Sequence, residues 1–182
     1  MTTMIEHKKE RGRASYLEAM SRVASTVSIV TTDGPAGRAG VTVSSLVSVS
    51  ADSPLPTILV CIHKSSSACP VILSNGVFCV NALRGGQKKI SDTFAGRTGR
   101  ADTDRFASAD WAAEISGAPR LIDPLVAFDC RVAHSELVGL HHVIFGEVLD
   151  LSIGNRDAPL IYANRAYGTP SPLALLPENS AA

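Results

Sequence analysis

A mainly β fold, built as a barrel with short peripheral helices, is predicted by three features of the sequence. Six segments rich in Val, Ile, Leu or Phe and bounded by Gly, Pro, Asn or Asp carry strand character: Val27–Thr32, Val41–Ser50, Thr57–Ile62, Gly76–Asn81, Leu125–Ala133 and His142–Leu151. The helical stretches between them are too short for the regular crossovers of a doubly wound α/β sheet, which argues against that fold. A length of 182 residues with 45% hydrophobic content suits one compact domain with a sizeable core.

Taken in chain order, Ser15 followed by Glu18 is a capping-box pattern, and Leu17, Met20, Val23 and Ala24 recur at helical spacing. A short amphipathic helix is therefore expected to open the domain near Ala14 and cover one end of the sheet, with the charged residues 1–13 flexible before it. Asp33-Gly34-Pro35-Ala36-Gly37 has turn composition and makes a hairpin of the first two strand segments. Within the second, Val41, Val43, Val47 and Val49 share one face and Thr42, Ser44 and Ser48 the other, while Ser45 breaks the register. Helices are expected over Ser67–Ser74, entered near Pro70, and over Gln87–Phe94, where Ile90 and Phe94 share a face. Ala95–Arg105 reads as a loop rich in Gly, Arg and Asp, and the chain from Thr169 onward as a frayed tail.

Bulk properties narrow the function. Lys plus Arg equals Asp plus Glu at 17 each, so there is no cationic excess for a nucleic-acid backbone. The apolar runs fall far short of the roughly 20 residues that cross a bilayer, and residues 1–13 lack the apolar core of a signal peptide, so a cytoplasmic location is expected. Cys61, Cys69, Cys79 and Cys130 have no CxxC spacing and read as reduced core residues. The five His residues have no metal-ligand spacing, and no metal is expected.

Two segments carry candidate chemistry. The hydroxyl-rich run Thr42-Val43-Ser44-Ser45-Leu46 fits either a solvated strand or a strand whose hydroxyls and amides meet the polar edge of a planar ring, with the chain turning toward it at Ser45. Cys61-Ile62-His63-Lys64-Ser65-Ser66-Ser67 ends a strand just before a helix, which fits either an ordinary Ser N-cap or a phosphate seat. Gly85-Gly86 and Gly96-Arg97-Thr98-Gly99-Arg100 lack the spacing of a nucleotide-binding loop.

The order of these motifs is more specific than any one of them. Gly-Val-Thr-Val-Ser-Ser, Ser-Val-Ser-Ala-Asp-Ser-Pro, Ile-Leu-Val-Cys-Ile and Asn-Gly-Val-Phe-Cys-Val-Asn-Ala-Leu are followed by Phe94-Ala95-Gly96, Arg105-Phe106, Gly139-Leu140-His141, Gly146-Glu147-Val148, Pro159-Leu160-Ile161-Tyr162 and Tyr167. Together they resemble the flavin reductase-like family, the short-chain reductase components of two-component flavin monooxygenases. The resemblance implies a split β-barrel domain over residues 14–168, between flexible termini 1–13 and 169–182, and a homodimer binding FMN or FAD. By the same resemblance, Thr42, Val43, Ser44, Ser45 and Leu46 line the flavin ring and ribityl chain, and Cys61, Ile62 and His63 continue along it. Ser66 and Ser67 would take the phosphate, and Phe94 with Ala95 would close over the cofactor's end. His141 would contact the nicotinamide of NADH or NADPH or protonate the reduced flavin, as an imidazole can near neutral pH. Leu140 stands where the family often has Asp, and Tyr167 would lie beside the nicotinamide.

The implied activity is hydride transfer from NAD(P)H to flavin, with reduced flavin released to a partner monooxygenase. Chemistry of this kind needs positioning rather than a protein nucleophile, consistent with a chain that has no Ser-His-Asp or Cys-His arrangement. Rival readings are a flavin-binding module without turnover and a split-barrel oxidase or corrinoid reductase.

Overall fold

The computed structural model describes residues 2–98 and 104–173. Helix α1 (Thr2–Ser21) precedes strands β1 (Ser25–Thr26), β2 (Ser28–Thr32), β3 (Ala39–Val43), β4 (Val47–Ser50) and β5 (Thr57–His63). Helix α2 (Ala68–Asn75), β6 (Val77–Ala82) and helix α3 (Lys88–Phe94) follow. The chain continues through β7 (Trp111–Ala113), β8 (Pro119–Leu121), β9 (Val126–Val138), β10 (His141–Ile153), β11 (Ile161–Ala163) and β12 (Ala166–Gly168).

Seven strands form one sheet in the order β3-β2-β6-β9-β10-β5-β4, every pairing antiparallel. Its two edge strands, β3 and β4, are consecutive in the chain and separated only by Ser44, Ser45 and Leu46. Three residues cannot span an open sheet of this width, so the sheet curls into a barrel whose two edges come close without pairing, leaving it split between β3 and β4. The expected strand Val41–Ser50 is thus two strands on opposite edges, and the register break at Ser45 is the corner between them. That corner also overturns the expected apolar face: Val43 is buried, but Val47 and Val49 beyond the turn are about half exposed (50% and 47%).

The barrel interior is filled by Val30, Val60, Ile62, Phe78, Val80 and Ile144, all essentially inaccessible to solvent. Burial of each such side chain stabilises the fold by about 1.5–3 kcal/mol. Phe78 fits because Gly146 faces it; a Cβ at Gly146 would overlap the ring. A second cluster, Val27, Ile29, Leu83, Phe94, Leu121 and Leu160, packs on the opposite face of β2. Period-2 alternation along Val27–Val30 accounts for one short segment serving both clusters.

The β7–β8 hairpin is held to the barrel by a buried polar network. Leu121 N donates to Asn81 Oδ1 (2.7 Å), and Asn81 Nδ2 donates to Ile29 O and Thr31 Oγ1. These bonds satisfy a fully buried amide that would otherwise be costly to desolvate.

Several expectations are corrected. Ser15 lies inside α1, which begins at Thr2, so the Ser15 and Glu18 pattern does not mark a helix start. The helix does not cap the sheet: Leu17, Met20 and Val23 are 45%, 47% and 53% exposed. Among the described residues, its C-terminal end is tied to the β11–β12 turn by polar contacts, Arg165 to Glu18 at 2.8 Å and Asn164 N to Ser21 O. The short strands at Trp111, Pro119, Ile161 and Ala166 carry too few residues for their periodicity to register. Gly99 and Arg100 of the Gly-Arg run, and the tail beyond Leu173, lie outside the described residues.

Candidate active site

The barrel corner creates a cleft of about 280 Å³ that brings together Thr42, Val43, Ser44, Ser45, Cys61, Ile62, His63, Ser66 and His141. Two separate sequence segments therefore share one recess, because β3 ends where β5 runs past it. Ser45 fixes that approach. Its hydroxyl accepts from Cys61 N (2.8 Å) and donates to Cys61 O (3.1 Å), pairing the corner with β5 where no strand ladder exists.

The hydroxyls divide into scaffold and free groups. Thr42 Oγ1 donates to Ser91 O of α3 (2.7 Å), and Ser45 is committed to Cys61, so both serve first to hold the wall in place. Among the described residues, no side-chain partner is recorded for the Ser44 or Ser66 hydroxyls, and both face the recess. A polar ligand has donors and acceptors available at these two points, at the backbone of the β3 edge between them, and at the mouth of α2.

His63 and His141 stand opposite each other in the β5–β10 ladder, with ring centroids 4.9 Å apart and planes perpendicular. His63 Nδ1 accepts from Ser65 N (3.1 Å) and lies 2.7 Å from Ser65 Oγ, which fixes the orientation of the ring. His63 thereby links the strand end to the serine turn. His141 is placed by the two-residue turn Gly139-Leu140, where Gly139 takes φ 62° and Leu140 O accepts from Lys64 N (2.8 Å). His141 is exposed at the rim of the cleft, free of any described side-chain hydrogen bond.

A second cavity of about 170 Å³ adjoins the cleft through Thr42, Val43 and Ser44 and is lined also by Val27, Ala95, Arg97, Tyr162 and Tyr167. Tyr167 sits there, its hydroxyl shared among Ser91 Oγ (2.8 Å), Arg97 Nη1 (3.1 Å) and Asp92 Oδ1 (3.1 Å). Burial acts to raise the Asp92 pKa. Hydrogen bonds from Lys88 and Tyr167 and the positive charges of Lys88 and Arg97 hold it below the ordinary carboxylate value instead, so Asp92 is an anion at neutral pH.

Not every expected residue reaches these recesses. Phe94 is 1% exposed and packs edge-on against Phe106 and Trp111, so its side chain is core rather than a lid; Ala95 alone of that pair lines a cavity. Ser67 points to solvent outside the cleft and makes no side-chain cap to α2. Leu46 lines a different, largely apolar recess with Phe128 and Val148. His141 and Tyr167 line two adjoining cavities that share Thr42, Val43 and Ser44. Sequence reasoning missed Arg97 and Tyr162. Arg97 was visible as a lone cation directly after Phe94-Ala95-Gly96, and Tyr162 as an aromatic five residues before Tyr167.

An antiparallel barrel split between β3 and β4, with a cleft at that corner, is the architecture shared with solved flavin reductases. The flavin reductase like domain matches residues 20–171, and the chain belongs to that family. It is 48% identical over 162 residues, 87% of each chain, to FMN reductase (NADH) RutF of Ancylobacter novellus. It is 44% identical to the protein of the same name from Stutzerimonas stutzeri, covering 85% of this chain and 87% of that one. Among solved structures, component B of nitrilotriacetate monooxygenase from Mycobacterium thermoresistibile superposes with a TM-score of 0.80 at 27% identity, over 96% and 97% of the two chains. BorF, the flavin reductase component of a bacterial two-component tryptophan halogenase, gives 0.77 at 27%, over 86% and 97%.

Proposed function

We propose that this chain is an NADH-dependent FMN reductase that supplies reduced flavin to a separate flavin-using oxygenase. The observation that carries the reading is the shared recess: Thr42, Ser44, Ser66 and His141 converge on one cleft although they come from three distant segments. The cleft suits a flavin because it joins a free β3 edge, two available hydroxyls and a serine-lined helix entrance. When bound there, FMN supplies the ring that accepts hydride.

The chain's own residues bind, orient and protonate. Ser44 and the β3 edge hold the polar side of the ring, Ser66 meets the phosphate, and Cys61–His63 form the floor. Thr42 and Ser45 keep the wall rigid through Ser91 and Cys61. His141 stands at the rim, where it orients the nicotinamide or holds the proton that reduction requires. Tyr167 and Arg97, across Thr42–Ser44, bind the more distant part of the nicotinamide nucleotide. Residues 14–168 form the functional unit.

A homodimer working in the cytoplasm completes the reading. Val47 and Val49 on edge strand β4 are half exposed, as are Leu137, Val138 and Leu140 at the β9–β10 tip, which supports burial against a second copy. All four cysteines are free thiols, in keeping with a reducing compartment. No described helix is long and apolar enough to cross a membrane.

The test is NADH oxidation by the purified protein with FMN, FAD or riboflavin added. Turnover that depends on added FMN supports the reductase. Flavin binding without turnover would make the chain a binding module, and turnover of a pyridoxine-phosphate or corrinoid substrate in its place would make it an oxidase or corrinoid reductase.

A further inference from the structure

We infer that Arg97, with Lys88 and Lys89 beside it, is the seat for the pyrophosphate of the nicotinamide nucleotide, whose nicotinamide end reaches toward His141 over the Thr42–Ser44 edge that the cavity and the cleft share. The inference rests on the reductase reading and deepens it. Arg97 lines both spaces: the cavity that contains Tyr162 and Tyr167, and an adjoining recess of about 500 Å³ lined by Lys88, Lys89, Asp92, Arg97 and Thr98.

Charge and geometry both favour an anion there. The recess wall carries three cationic side chains and one carboxylate. Asp92 is engaged by Lys88 Nζ (3.1 Å), Arg97 Nη1 (3.4 Å) and the Tyr167 hydroxyl, so it anchors the cations, and among the described residues of the wall about two positive charges are left over. A pyrophosphate diester carries the matching two negative charges. The guanidinium carbon of Arg97 lies 5.6 Å from the ring centres of both Tyr162 and Tyr167. Held near both rings and tethered to Asp92 and the Tyr167 hydroxyl, its planar fork is pre-organised for phosphate oxygens at little entropic cost.

The flavin phosphate is the other possible source of the anion. It is disfavoured because Ser66, its proposed contact, lines the cleft with His141, which Arg97 does not line.

The test compares hydride donors with and without phosphates. In Arg97→Gln, KM for NADH should rise about tenfold while kcat stays within about twofold, the loss expected for one charge-assisted contact. The KM for N-benzyl dihydronicotinamide, which has no phosphate, should be unchanged, and Arg97→Lys should recover part of the NADH loss. Added salt should weaken NADH more in the parent than in Arg97→Gln. An equal rise for both donors would overturn the seat and leave Arg97 as a brace for Tyr167. A rise in KM for FMN but not riboflavin, with NADH unaffected, would assign the anion to the flavin. Calorimetric binding of NAD+ against nicotinamide riboside gives a readout without turnover: unchanged NAD+ affinity in Arg97→Gln overturns the inference. A parent that binds NAD+ through Arg97 yet reduces no flavin overturns only the reductase reading.

Discussion

Ser45 brackets Cys61: one hydroxyl accepts from the cysteine's amide at 2.8 Å and donates to its carbonyl at 3.1 Å. This pair of bonds substitutes for the ladder that β3 and β4 interrupt, and it sets the distance between the two walls of the candidate flavin cleft. Ser45→Ala should lower stability by about 1–3 kcal/mol, because two backbone groups lose their partner. Ser44→Ala, one residue away and without a recorded bond, should weaken FMN binding with little change in the denaturation midpoint. Chemical denaturation and flavin titration of both variants separate the roles; equal destabilisation by the two would contradict the division.

The same wall depends on the ring beneath it. A Cβ on Gly40 would lie 2.6 Å from the buried Phe94 ring, so Gly40→Ala should cost about 1–3 kcal/mol by overpacking. Combining it with Phe94→Leu should recover part of that loss. Additive losses in the double variant would show that the clash is not the cause.

Ser66 lines the cleft and Ser67 does not. Ser66→Ala should therefore weaken FMN by about tenfold and riboflavin hardly at all, since only FMN has a phosphate to lose a hydrogen bond. Ser67→Ala should leave both affinities close to the parent's. Equal losses for FMN and riboflavin in Ser66→Ala would place the phosphate elsewhere.

His141→Ala should slow FMN reduction by NADH on the order of a hundredfold, the low end of a general acid or base contribution. Flavin affinity should persist, because the other cleft residues are untouched. Stopped-flow reduction at saturating flavin is the measurement, and unchanged turnover would remove His141 from the mechanism.

Asp129 supplies a pH signature of the fold. Burial pushes its pKa up, against the opposing effect of hydrogen bonds from Ser116 N (2.9 Å) and Oγ. A carboxyl whose folded pKa is raised contributes stability below its unfolded pKa of about 3.9 and loses it as pH rises through the folded value. The stability difference between parent and Asp129→Asn should thus favour the variant increasingly from about pH 4 upward. A constant difference across that range, measured by urea denaturation, would contradict the raised pKa.

Legibility differed by element. The long strands were readable because Val, Ile and Phe recur between strong turn formers, as at Asn75-Gly76 before Val77. Ser45 was readable as an irregularity, but not as the point where opposite edges of a sheet meet, since that depends on which strands pair. For Phe94, helical spacing shows an inward-facing residue and the resemblance adds a place at the cofactor's end, but neither shows the packing partners, Phe106 and Trp111, that take up its ring. Arg97 was hidden for a different reason. Its importance comes from Tyr162 and Tyr167, more than sixty residues away in the chain.

The three-residue link Ser44-Ser45-Leu46 has an evolutionary consequence. Its length sets how closely the two edge strands approach and so the gape of the cleft, and an insertion there would loosen the fold and the ligand's grip in one stroke. Divergence in what the protein recognises must accumulate in places that leave this seam alone, such as the stretch between β4 and β5 or the residues following α3.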